Sequence, residues 1–338
     1  MQLADLPSRR AEAWKWTDLR AAMSDSEETL TGSAPMAPLG PIASLADLFG
    51  DGPSELSIET KGETFENRQE DGDAGQYGKI IARTGSEATL VERIGVTGVG
   101  MRNILPVFSE IEVEAGAKLT RIVVQENAVP TGEASAAIVL NEAVVKLGKG
   151  ASYRQFVLGE GAKLTRIETS IVTAGEGAEI ELNGVYLAGP KRHVDLTSRV
   201  SHGAVGGVTR QLVRGVARKG GRGVFQGRFL VERSAQKTDA RMAHNALLLE
   251  EGAEVFAKPE LEIYADDVAC AHGNTAGRLD EDAVFYLRQR GLPEVDARAM
   301  ITRAFLMEAL PEWLGEVRAE VEARIDAWLG TSGSGVGA

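Results

Sequence analysis

Between Lys79 and Ala276 the chain is written in short aliphatic and β-branched runs separated by small turn signals. Ile111–Val113, Ile122–Val124, Ala137–Leu140, Val144–Leu147, Ile167–Val172 and Ile180–Leu187 are runs of this kind. Gly148–Ala151, Gly159–Ala162, Gly175–Ala178 and Glu251–Ala253 are turns between them. The string GAKLTRI occurs twice, at Gly116–Ile122 and Gly161–Ile167. Self-similar segments of this texture predict stacked coils, each with an apolar face that only its neighbours can cover. A parallel β-helix fits best, and a β-sandwich is the competing topology.

The pattern changes at both ends. From Pro7 to about Met23 the spacing of Ala11, Trp14 and Ala21 or Ala22 predicts a helix, with Ser8 as its N-cap. Ser24 to Glu55 and Lys61 to Gly78 are polar and read as surface connections. Residues 1–78 are therefore expected to be a helical and irregular N-terminal region, and 79–276 the β-helix core. Beyond Gly277, Asp280 can cap a helix running to Arg290, and Pro293 can open a second that runs to Leu310. Pro311 separates a third, Glu312 to Leu329, in which Leu314, Val317, Val321, Ile325 and Trp328 make one apolar stripe. Residues 277–330 thus form a helical C-terminal region, followed by a flexible tail at 331–338. All four tryptophans lie in these end segments. Trp14 and Trp328 read as anchors onto the solenoid; Trp16 and Trp313 suit either anchoring or contact with a partner.

Composition narrows the function. Glycine at 39 of 338 residues and aromatics at 5 % suit short strands and tight turns. A net charge of −12 argues against nucleic acid or an anionic membrane as partner, because phosphate neutralisation needs clustered cations. No apolar run reaches the roughly 18 residues of a membrane span, and the N-terminus lacks the layout of a secretory signal. The single cysteine, Cys270, excludes an internal disulfide. The chain reads as soluble and cytoplasmic.

The segment from Glu260 to His272 is the richest in chemistry. As one regular strand it would turn Leu261, Ile263, Ala265 and Ala269 to the core and Glu260, Glu262, Tyr264, Asp266, Cys270 and His272 to the other face. A bulge at Asp266–Asp267 would change which carboxylate joins them. Cys270 and His272, two residues apart, could meet one iron or zinc ion; a buried small cysteine beside a turn histidine is the plain alternative. Two ligands cannot hold an iron–sulfur cluster, which usually takes four, so a cluster role needs ligands from a second chain. His193 and Asp195, with His202, are a weaker metal candidate lacking a third ligand and a base. No phosphate-binding loop is present, so ATP hydrolysis by this chain is not expected. The glycine-rich, basic stretch Gly215–Gly227 reads as a flexible basic hairpin. No nucleophile elbow appears.

Several longer strings carry a family resemblance. They include Gly223-Val-Phe-Gln-Gly-Arg228, Ser234-Ala-Gln-Lys-Thr-Asp-Ala240, Lys258-Pro-Glu-Leu-Glu-Ile-Tyr-Ala-Asp-Asp267, Cys270-Ala-His-Gly273 and Phe285-Tyr-Leu-Arg-Gln-Arg-Gly291. Leu6-Pro-Ser-Arg-Arg-Ala-Glu-Ala-Trp-Lys-Trp-Thr-Asp-Leu19 adds an N-terminal signature. Together they resemble the SufB/SufD family of iron–sulfur cluster assembly proteins, over about a third of the chain at its two ends. The lone cysteine and the length place the resemblance on the SufD side. Met242 and His244 depart from it, standing where amide side chains are more usual, as does Ala271 in place of a common serine.

The resemblance implies a right-handed parallel β-helix with helical ends and a non-catalytic scaffold role. It implies a complex with SufB and with the ATPase SufC, whose closure would rearrange the shared interface. SufC would dock on the C-terminal helices, where Phe285, Trp313, Leu314, Val317 and Val321 are the assigned contacts. Cys270 and His272 would lie near SufB and share a transient iron or iron–sulfur cluster with it, none being held tightly by the isolated chain. The isolated chain could also pair with itself through an exposed sheet edge. Two other readings remain: a β-helical carbohydrate-active enzyme using Glu260, Glu262 and Asp266, and a purely structural partner of SufB.

Overall fold

The computed structural model describes residues 11–24, 54–70, 76–97, 104–130 and 133–330. Sixteen strands stack into two eight-stranded sheets, one holding the odd-numbered strands in order and the other the even-numbered. Every pairing between these strands is parallel and joins strand n to strand n+2, so each coil contributes one strand to each sheet. This is the parallel β-solenoid that the repeated texture predicts.

Regular corners keep the stack in register. At one corner Gly150 and Gly177 adopt φ of 61° and 67°, a region where a side chain would be strained. Their N–H groups donate to Glu176 and Val205 of the next coil at 2.8 and 2.9 Å, which satisfies turn groups that would otherwise be orphaned. The lumen is filled by alternate residues of both sheets, such as Leu119, Val123, Tyr153, Val157, Ile167, Ile171, Phe225 and Phe229, all buried.

The solenoid begins earlier than the apolar runs indicate. Strands β1 (Ser54–Ile58) and β2 (Lys61–Glu70) form its first coil, within the region expected to be irregular. As an end coil it has a neighbour on one side only, so its strands are allowed to be polar. The expected cap at Ser8 and the 331–338 tail lie outside the described residues. Glu12–Trp14 forms one 3-10 turn and Leu19–Ser24 a short helix, α1, in place of one continuous helix. Trp14, Leu19 and Met23 pack on Ile138, Leu140 and Leu164 at the outer face of the odd-numbered sheet.

Three helices follow the last strand: α2 (Glu281–Gln289), α3 (Glu294–Met307) and α4 (Val317–Leu329). Asp280 caps α2, its carboxylate accepting from the N–H groups of Asp282 and Ala283 at 2.9 and 3.3 Å. α3 and α4 lie on the outer face of the even-numbered sheet. There Leu306, Leu310, Leu314, Val321 and Ile325 bury themselves against Ile122, Val124, Phe156, Leu158, Val185 and Leu187. Ion pairs fix α4 in place, Arg324 to Glu126 and Glu160, and Arg93 to Glu320 at 2.9 Å. Gly215–Gly227 is an ordered corner and not a free hairpin. Arg214, just before it, lies 4.4 Å over Phe305 and Arg218 within it lies 4.2 Å over Trp328, so both clamp the helices. No helix among the described residues is long and apolar enough to cross a membrane.

Candidate functional site at the open end of the solenoid

The last coil consists of β15 (Glu254–Ile263) and β16 (Ala269–Gly277), the terminal strands of the two sheets. Each is hydrogen-bonded on one side only. Their outer edges differ. β15 carries Glu254, Lys258, Glu260 and Glu262 together with Pro259, features that protect an edge from further pairing. β16, Ala-Cys-Ala-His-Gly-Asn-Thr-Ala-Gly, has no Asp, Glu, Lys, Arg or Pro, and every residue but Cys270 is exposed.

Glu260 to His272 is not one strand. The chain turns a corner at Tyr264–Val268, so the carboxylates and the Cys–His pair belong to different sheets. Register with β14 (Asp239–Leu248) sets Cys270 beside Ala240, His272 beside Met242 and Asn274 beside His244. Ala240 and Met242 belong to the lumen core, so Cys270, His272 and Asn274 form its rim at the open end. This corrects the expectation that Cys270 and His272 share the solvent face of Glu260 and Glu262. Cys270 is half-buried against Val231, Ala235 and Ala265. Burial pushes its thiol pKa up, and a backbone hydrogen bond with Ala240 opposes the rise. The resting group is therefore the thiol, and a metal ion would have to displace its proton. Among the described residues no three His, Cys, Asp or Glu side chains gather as a metal-holding group. A soft thiol and an imidazole on an exposed edge suit iron or a cluster in type, yet supply only part of its ligand set.

The weaker metal candidate is dispersed. His202 points into the lumen, whereas His193 and Asp195 face outward. Asp195 is fully buried beneath the N-terminal segment, paired with Arg166 at 2.6 Å and with the Thr17 hydroxyl, which also lies 3.1 Å from His193 Nε2. Arg166 and Gln226 donate to the Ala13 carbonyl at 3.0 and 3.2 Å. The cluster anchors the N-terminal segment. Trp14 sits in this anchor with Arg166 4.2 Å over its ring, and Trp16 stacks on Phe256 of β15 at 6.1 Å.

Two of the three carboxylates proposed for sugar cleavage are engaged elsewhere, and Asp266 lies apart from them on the corner between the sheets. Glu260 pairs with Lys258 at 3.0 Å, and Glu262 pairs with Arg228. A hydrogen bond from Tyr264, reinforced by Arg228, holds Glu262 below its usual pKa, the wrong direction for a general acid.

The residues assigned to docking divide. Leu314 and Val321 are 2 % and 0 % exposed and face the solenoid, and Trp313 and Val317 are half-buried on the same cluster. The apolar stripe of the third helix is spent inside the molecule. Phe285 is 60 % exposed and stands with Tyr286, Val295 and Met300 on the hairpin of α2 and α3. Only the structure separates this set, because spacing marks a stripe without saying what covers it.

The family model for the SufBD core domain of the SUF system for FeS cluster assembly matches residues 67–305. The chain belongs to the SufB/SufD family. It is 36 % identical over 243 residues to the iron–sulfur cluster assembly protein SufD of Escherichia coli, covering 71 % of this chain and 56 % of that protein. It is 32 % identical over 240 residues to a SufBD family protein of Synechocystis, slr0076, covering 69 % and 52 %. With the chloroplastic protein ABCI7 of Arabidopsis thaliana the identity is 30 % over 253 residues, covering 74 % and 52 %. The chain spans about half the length of these relatives. The likeness runs through the solenoid's middle, where the quoted strings are silent, whereas the N-terminal signature lies outside the matched residues.

Proposed function

We propose that this chain is a non-catalytic scaffold subunit for iron–sulfur cluster assembly, which completes its site by pairing β16 with a SufB partner and docks the SufC ATPase through α2 and α3. The observation that carries the reading is the uncharged edge of β16, which sets Cys270 and His272 on its rim. An exposed edge of nine residues without charge or proline invites a further strand. Such a strand would bring the ligands that two side chains cannot supply. The cluster or its iron is cargo, held transiently between the chains. The exposed Phe285, Tyr286, Val295 and Met300 supply the apolar contacts for SufC. Movement of the bound ATPase would act on the solenoid through the helices buried against it.

The test is co-expression with SufB and SufC, size-exclusion chromatography and anaerobic reconstitution, comparing the parent with His272→Ala. An intact complex whose cluster yield collapses supports the shared site. An intact complex with unchanged yield leaves this chain a structural clamp. For the edge itself, Ala271→Lys should abolish co-elution with SufB while the monomer's circular dichroism stays unchanged; undiminished co-elution would place the interface elsewhere.

A further inference from the structure

Directly beneath the rim, His244 is fully buried and has both ring nitrogens occupied. Its ring stacks on Phe225 at 4.6 Å between centroids, within 4° of parallel, and lies 5.8 Å from Tyr186. Nε2 is 3.1 Å from the Tyr186 hydroxyl, and Nδ1 is 2.6 Å from Oδ1 of Asn274 on the rim. Two proton arrangements are compatible with these distances, and they turn the Asn274 amide in opposite directions.

The surroundings of Tyr186 decide between them. Tyr186 is 0 % exposed, and among the described residues His244 Nε2 is the partner of its hydroxyl. A buried hydroxyl hydrogen needs an acceptor. Nε2 must therefore accept from Tyr186, which leaves the proton of the neutral ring on Nδ1. Nδ1–H donates to Asn274, so the carboxamide keeps its oxygen inward and turns Nδ2 toward the open mouth. Burial holds the His244 pKa down at about 4 and the Tyr186 pKa well up, so neither group leaves this state near neutral pH.

We propose that His244 is a positioning residue that locks the Asn274 amide as a hydrogen-bond donor to anionic sulfur carried by metal at His272. Asn274 is two residues beyond His272 on the same face of β16, a separation of about 7 Å along a strand. At that separation its Nδ2 would address a ligand atom of a metal held on His272, not the imidazole itself. Hydrogen bonds to cluster sulfurs favour the reduced, more negative state and raise the potential. The inference rests on the proposed role of His272.

Two measurements test it. Long-range proton–nitrogen spectra of the full chain labelled at histidine should show His244 as the Nδ1–H tautomer; an Nε2–H tautomer overturns the assignment without reference to any cluster. In the complex with SufB and SufC, the reconstituted cluster of Asn274→Leu should have a lower reduction potential than the parent. His244→Phe should lower it comparably, and the double variant should add little. If His244→Phe does not fold, Asn274→Leu alone decides. An unchanged potential in Asn274→Leu, with cluster yield still dependent on His272, refutes the donor role and leaves the shared site standing. If His272→Ala also leaves the yield unchanged, the site reading fails and this inference falls with it.

Discussion

His202 and His244 are sealed in the lumen with their pKa values held down at about 4 by burial, against an ordinary value near 6.5. The unfolded chain takes up these protons as pH falls below about 6.5, and the folded chain does not until about 4. Their neutral state thus contributes stability that is complete above about pH 6.5 and is lost between there and 4. At about 1.4 kcal/mol per unit, each contributes on the order of a few kcal/mol. The urea midpoint should therefore fall across that window, and His202→Asn should flatten the fall; an equal slope in the variant would show that His202 does not drive it. The residue scale also holds the sharpest gap between sequence and structure. Cys270 and His272 are legible as a pair two apart, whereas His244 and Asn274 are 30 residues apart and meet only because one coil stacks on the next. No local spacing encodes that contact.

At the scale of elements, the helix boundaries were legible because caps and prolines act locally. Asp280, Pro293 and Pro311 mark the C-terminal elements to within a few residues, although Glu312–Leu314 is a 3-10 turn ahead of α4. What the elements cover was not legible. Leu314→Ala should cost about 2–5 kcal/mol in urea unfolding, the range for emptying a buried leucine site. Phe285→Asp should change stability by no more than about 0.5 kcal/mol yet abolish capture of SufC. Retained capture in Phe285→Asp would move the proposed docking surface off the α2–α3 hairpin. The missed strands β1 and β2 have the same origin, since an end coil need not be apolar to pair.

The whole molecule is a stack in which each coil leans on its neighbours, so its ends are its weakest parts. The N-terminal segment crosses the outer face of the odd-numbered sheet and reaches the last coil, where Trp16 meets Phe256 and Glu12 meets Lys258 at 2.7 Å. Trp16→Ala should speed amide exchange in β15 while leaving β7 (Ile138–Leu147) and β9 (Leu164–Thr173) unchanged; uniform exchange would mean that this strap does not hold the open end. The strap brings residue 12 to residue 258, a link no periodicity could reveal.

The sequence alone determined the coil texture, the glycine corners, the C-terminal helices and the Cys–His pair, because turn chemistry, capping and alternation operate over a few residues. The repeated heptapeptide shows where that reach stops. In GAKLTRI at Gly116, Arg121 points into the lumen and pairs with Glu92 at 2.5 Å. In the copy at Gly161, Arg166 points outward to Asp195 and Glu168 beneath the N-terminal segment. The first copy enters β6 (Lys118–Asn127) and the second enters β9 (Leu164–Thr173), one residue later relative to the string and in the other sheet. A strand alternates faces at every residue, so a shift of one reverses every side chain. Which way each copy faces, which strand is left as the open edge, and what the C-terminal stripe buries were decided by stacking of coils far apart in the chain.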